Sequence, residues 1–419
     1  MGFQQGLSGL AASSKQLEVV GNNVANASTS GFKRSRTEFA DMYGSSLYGM
    51  SSAQAGIGVR TSGVSQMFEQ GNINSTGNNL DLAISGNGFF ILKSPSSAST
   101  ENVYSRSGAF QVNANGFLVN GDGYKLQGYD ALDGVIQYTA TPVDLQFETS
   151  LIAPTATSNV DLGVNLNSSA TANDLATVGA VDPTDTTTFT SATSVKIYDS
   201  LGNTHDLSFY FIKGTPTATG TDWTVTPFID GTAVSSPATP QTLSFDTDGN
   251  LVSGGAFSVS YDVTPPNGSA TIQVTSVDLT SSTQFNSSFG VNSLSADGNA
   301  PGTLTSMNIN NQGIIEATYS NGKTVSIGQV ALANFTNVQG LQPMGGNLWK
   351  DVASSTGGAK VGTPLSSDLG EIQSGALEES NVDLTAELVD MIVAQRFYQA
   401  NAQTIKTQDA ILQTLINLR

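Results

Sequence analysis

The chain has 419 residues, a formal net charge of −18, 12% charged residues, no cysteine and one histidine, His205. Zero cysteine excludes disulfides, thiolate metal sites and cysteine nucleophiles, and one histidine excludes any site built on two imidazoles. The acidic balance argues against nucleic acid, whose binding rests on neutralising phosphates, and no apolar run approaches the roughly 18 residues that cross a bilayer.

Residues 1–27 predict an amino-terminal helix. Phe3, Leu7, Leu10, Leu17 and Val24 step by four and three, with Ser14 and Gly21 filling the gaps. That seam has a period of about 3.5, the spacing of a coiled coil. Gly6, Gly9 and Gly21 each weaken the helix by about 1 kcal/mol relative to Ala. The first residues carry neither a basic cluster nor an apolar core, so no secretory signal is expected there.

Residues 28–72 are rich in Ser, Gly and Gln and predict an extended linker with short strands. From there the period changes to two. Leu80, Leu82 and Ile84 alternate with polar residues and open an inner β domain over 73–148. Residues 149–300 hold only Lys196 and Lys213 as basic groups, are dense in Thr and Ser, and predict an outer β domain inserted in the inner one. Val195–Tyr198, Leu207–Ile212 and Phe257–Val263 are its strand candidates. Val325–Leu332 returns to the inner domain, whose second segment with its linker spans 301–379.

Residues 380–419 predict the carboxyl-terminal helix. Leu384, Leu388, Met391, Gln395, Tyr398, Ala402, Ile405, Asp409, Leu412 and Ile416 again step by four and three. Ser380 with Asp383 resembles a capping box. The fold class is therefore mainly β with long α-helical termini, the termini pairing as a coiled coil. Periodicity alone leaves open whether the seams meet within one chain or between copies. The seam residues offered for self-assembly are Phe3, Leu7, Leu10, Leu17, Val24, Leu384, Leu388, Met391, Tyr398, Ile405, Leu412 and Ile416.

A loop pattern recurs. Val112–Leu118 matches Phe245–Leu251 position by position, and Ile309–Ile315 is a third copy in type. Each predicts a strand, a tight turn with glycine at positive φ, and a second strand. Asp246-Thr-Asp-Gly249 lacks the spacing of a calcium loop. His205 is expected on the surface or in a turn, because Asp206 points to the opposite strand face and cannot orient it. No nucleophile elbow and no phosphate-cradling glycine loop is present. No catalytic residue, cofactor or metal ligand is assigned.

Several blocks resemble the bacterial flagellar rod and hook proteins. They are Asn22-Asn-Val-Ala-Asn26, Thr29-Ser-Gly-Phe-Lys33, Phe39-Ala-Asp41, Leu80–Phe90, Tyr104–Phe110, Asn115–Val119, Gly375–Leu384, Glu387–Arg396 and Tyr398–Asp409. The large segment between Thr149 and Ala300 is similar to the outer domain of the hook members rather than to the shorter rod members. The resemblance implies a subunit that polymerises with itself into a curved helical tube. That tube would be a flexible universal joint passing torque from rod to filament in motility. It implies an extracellular position in the flagellum and export without a cleaved signal. The partners implied are other copies, the distal rod, the hook cap, the hook–filament junction protein and the flagellar export apparatus, with no nucleic acid and no membrane insertion. The alternatives are a distal rod or hook-junction member of the same family, or a secreted acidic β-rich adhesin.

Overall fold

The strand Phe89–Lys93 is apolar at four successive positions because both of its faces are covered. Side chains alternate across a strand. Phe89 and Ile91 therefore join Tyr104, Phe335 and Trp349 on one side. Phe90 and Leu92 join Leu82, Leu118, Leu126, Phe147 and Ile372 on the other. On the first side Phe89 meets Phe335 and Trp349 edge-on, with ring centroids 5.8 and 5.9 Å apart, the arrangement that aromatic quadrupoles favour.

This computed structural model describes residues 2–42, 56–95, 101–132, 134–138, 141–147, 151–173, 180–237, 239–263 and 268–417. The chain is mainly β, 44% strand against 16% helix, and divides into two units. The first comprises Met1–Glu148, Ser306–Ala317 and Thr324–Arg419; the second comprises Thr149–Thr305 and Thr318–Lys323.

In the first unit an antiparallel run of strands passes through Thr324–Val330, Lys125–Leu132, Phe89–Lys93, Asn102–Ser105, Leu348–Lys350 and Gln342–Gly345. Pro343, on the last of these, has no N–H to offer another strand and blunts that edge. The run expected as one strand over 325–332 is two, Thr324–Val330 and Leu332–Phe335. The second pairs with Phe89–Phe90, so the chain changes partner at Ala331. Within the expected linker, Ser35–Met42 and Gly58–Gln66 form an antiparallel ribbon. Gln5 Nε2 donates to Gly56 O at 2.6 Å, so the loop end of the ribbon lies against the amino-terminal helix.

The second unit is a sandwich. One sheet orders Ala256–Tyr261, Ile272–Asp278, Asn159–Asn165 and Gly290–Ala296; the other runs from Ser191–Tyr198 through Thr204–Lys213, Thr221–Ile229 and Gln241–Phe245 to Leu251–Ser253. Leu207, Phe209 and Phe211 alternate inward and share one core with Trp223, Val225, Leu243, Leu162, Val164 and Val274.

The three repeated loops share one geometry, and Asn120–Tyr124 and Asp199–Asn203 adopt it too. In each of the five, an Asn or Asp oxygen (Asn113, Asn120, Asp199, Asp246, Asn310) accepts the backbone N–H groups two and four residues on, at 2.8–3.1 Å. The glycine three residues on sits at φ +74° to +86°, a region closed to most side chains. Asp246 Oδ1 is thus engaged by two amides, as a hairpin requires. These bonds, that from Asn250 N–H foremost, hold its carboxyl below the ordinary range. A depressed carboxyl contributes stability above its unfolded pKa, near 4, and loses it as pH falls through the lower folded value. Asp246→Asn, which keeps the acceptor oxygen, is expected to flatten the acid limb of the stability–pH curve, measured by thermal denaturation between pH 5 and pH 2.

Candidate assembly surface on the terminal helices

The amino-terminal helix is Gly2–Ala25 and the carboxyl-terminal helix Leu384–Asn417. The second begins at Asp383, whose Oδ1 accepts from Thr385 N and Ala386 N at 2.8 and 3.2 Å. Asp383 alone is therefore the cap. Ser380 does not complete a capping box; its hydroxyl accepts from Val382 N in a local turn. Asp383→Ala is expected to cost about 1 kcal/mol, read as a lower midpoint in urea denaturation.

The two helices pack antiparallel within the chain. Gly6 faces Ile405 and Gly9 faces Asn401; a methyl group on Gly9 would lie 2.7 Å from Asn401 Oδ1. Towards the other end Gln16, Val19 and Val20 share a small cleft with Arg34, Glu387 and Asp390. The covered stripe on the first helix is Gly6, Gly9, Ser13, Gln16, Val20 and Asn23, flanked by Ala12 and Val19. It lies one residue, or about 100° of rotation, from the heptad seam of large apolar residues. Gly6 and Gly9 let the two backbones approach where they face Ile405 and Asn401, whereas Asn23, at the far end of the stripe, is covered by the Ser35 backbone.

The predicted seam residues consequently divide. Met391 and Ile405 are half-buried on the side facing the first helix, and Leu10, Leu17 and Val24 are half-buried. Phe3, Leu7, Leu384, Leu388, Tyr398, Leu412 and Ile416 are exposed, Ile416 at 73%. Exposed apolar residues that the seam does not include are Val389, Ile392, Val393, Phe397 and Ile411. They could have been found by noting that the carboxyl-terminal helix is apolar on more than one face, a mark of burial on more than one face.

His205 is not on the surface. It is 8% exposed on the strand Thr204–Lys213, with Nδ1 2.6 Å from Asp230 Oδ2 and Nε2 3.6 Å from Asp199 Oδ2. Both carboxylates come from turns, so no neighbour in sequence pointed to them, while Asp206 pairs with Lys196. Among the described residues no group of three or more His, Asp or Glu is placed to hold a metal ion. No described helix is long and apolar enough to cross a membrane.

Four family patterns match in order along the chain. "Flagella basal body rod protein" matches residues 3–33, "Flagellar hook protein FlgE/F/G D1 domain" 83–182, "Flagellar basal body protein FlaE D2 domain" 165–299, and "Flagellar basal body rod FlgEFG protein C-terminal" 373–418. The chain is 40% identical to the flagellar hook protein FlgE of Escherichia coli (strain K12) over 422 residues, covering all of both chains. It is 35% identical to that of Rhizobium meliloti (strain 1021), over all of this chain and 98% of the relative. The crystal structure of Helicobacter pylori FlgE2 is similar in fold, with a TM-score of 0.54 and 17% identity over 73% of this chain and 100% of that one. With full-length identity of this order to hook proteins, the chain belongs to the bacterial flagellar hook protein family.

Proposed function

We propose that copies of this chain assemble into a helical tube through the apolar faces that the terminal helices leave uncovered, the two helices of each copy forming a coiled coil. As a hook-family member the chain is a structural subunit of the flagellar hook, outside the cell, and it is not an enzyme. One observation carries the proposal. Leu384, Leu388, Ile392, Phe397 and Leu412 stand about half exposed on a helix already paired on its other side. Covering such a side chain releases about 1 kcal/mol or more, and identical copies supply the same stripe repeatedly. Contacts between unlike patches that do not close a ring propagate as an open helix.

Within this proposal residues 1–27 and 380–419 form the inner tube, and 149–300 is an outer domain inserted between 73–148 and 301–379. The segment 44–56 of the linker lies almost wholly outside the described residues. The acidic, Thr- and Ser-rich outer domains make wet contacts that exchange as the tube bends, which suits a flexible joint between rod and filament. The same proposal places the distal rod at one end of the tube and the hook cap or junction protein at the other, with export through the flagellar apparatus.

Negative-stain electron microscopy tests it. The expected result is curved hollow tubes from the full chain and soluble monomers from a chain lacking residues 1–27 and 380–419. Tubes from the trimmed chain would overturn it.

A further inference from the structure

Three of the sequence blocks, far apart in the chain, meet at one buried carboxylate in the first unit. Lys33 stands shortly after the amino-terminal helix, Glu378 shortly before the carboxyl-terminal helix, and Arg106 between strands of the β framework. Lys33 Nζ lies 2.6 Å from Glu378 Oε1, with both side chains 0% exposed. Arg106 Nη1 lies 3.4 Å from Glu378 Oε2. Gly71 N–H donates to Glu378 Oε1 at 2.9 Å, Lys33 Nζ also donates to Glu69 O at 2.6 Å, and Gly31 N–H donates to Glu378 O at 2.8 Å. The Arg106 guanidinium lies 5.2 Å from the centre of the Phe89 ring, which anchors it to the aromatic core.

A second set of bonds lies beside this cluster. Arg34 N–H donates to Asn381 Oδ1 at 2.8 Å, and Asn381 Nδ2 donates to Met67 O at 2.7 Å and to Glu69 O at 3.1 Å. Asn23, in the last turns of the first helix, exchanges two bonds with the Ser35 backbone, at 2.8 and 2.9 Å.

Two cations against one anion are a poor source of net stability, because desolvation offsets much of the attraction. Directional bonds do something that apolar packing does not: they fix a position. The tie also lies at the base of both helices, where any angular error is amplified. A residue near Gln403 is about 29 Å along the axis from Leu384, so a tilt of about 10° moves it by roughly 5 Å.

We infer that the Lys33–Glu378–Arg106 cluster is a positioning latch that sets the angle at which the paired terminal helices leave the first β unit. In the tube this latch passes load from the inner helices to the β layers. That consequence rests on the proposed assembly, whereas the latch itself is tested in the single full-length chain.

The absence of cysteine allows spin labels at Gln111→Cys and Gln403→Cys, both exposed positions of the first unit. The cluster is neutralised by Lys33→Met, Arg106→Met and Glu378→Gln together. The last of these keeps a side-chain oxygen for Gly71 N–H. Electron–electron double resonance is expected to show a distance distribution at least twice as broad as in the labelled parent, with the thermal transition within a few degrees of it. An unchanged width overturns the latch. If the triple replacement fails to fold, Lys33→Met alone is measured; it retains the Arg106–Glu378 pair and removes the shortest tie. Broadening with a preserved transition supports the latch, and a parental width or broadening only with loss of the transition overturns it. Failure of the parent to form tubes in the microscope would instead count against the assembly, and leaves the distance result standing.

Discussion

Replacing Leu388 and Ile392 by Asp is expected to abolish tube formation, with the thermal transition and far-ultraviolet circular dichroism of the monomer staying at parental values. Both side chains are about half exposed on the carboxyl-terminal helix, so the isolated chain loses little packing when they become polar. In a tube they would be covered. Losing two such contacts costs about 2 kcal/mol or more, and burying two unpaired carboxylates adds more. Every 1.4 kcal/mol is tenfold in an equilibrium constant, so the concentration needed for assembly rises by more than about a hundredfold. Sedimentation and electron microscopy read the result; tubes at parental concentration would remove the exposed stripe from the interface. Ile405→Asp behaves differently. Ile405 is half-buried against Gly6, so its replacement lowers the helix signal of the monomer as well.

Gly9→Leu has a comparable effect by another route. A Cβ on Gly9 meets the Asn401 side-chain amide at 2.7–2.8 Å, and a leucine adds three further carbons in a contact already closed. Overpacking of this kind costs typically about 1–3 kcal/mol, enough to separate helices joined through small residues. The expected readout is faster trypsin cleavage at the exposed Arg396 and Lys406, by at least tenfold, together with loss of tubes. Gly21→Ala is the control. Nothing lies within 4 Å of a Cβ there, so alanine raises helix stability by about 1 kcal/mol. Equal cleavage of Gly9→Leu and parent would show that this contact does not hold the helices together.

Much of the architecture was legible in the sequence. The change from a period of three and four to a period of two separates helices from strands, and Gly and Asn mark the turns. The shared Asn/Asp-x-x-Gly loops follow from local chemistry: one side-chain oxygen and one positive φ close each turn, and neither depends on the rest of the fold. Asp199–Asn203 and Asn120–Tyr124 carry the same signal. The scarcity of basic residues over 149–300 and the ordered blocks of the hook family are likewise properties of the chain itself.

Tertiary structure decided which faces meet. The heptad seam marks large apolar residues, but the face turned to the partner helix is set by how closely the backbones approach, and that is governed by Gly6 and Gly9, one step round the helix. Periodicity carries no information about which of two neighbouring stripes is covered within a chain and which is left for another. Lys33 and Glu378 lie 345 residues apart and His205 pairs with carboxylates from two separate turns. Such contacts depend on where the fold returns the chain, and the desolvated interior that strengthens them exists only once the strands around them have closed.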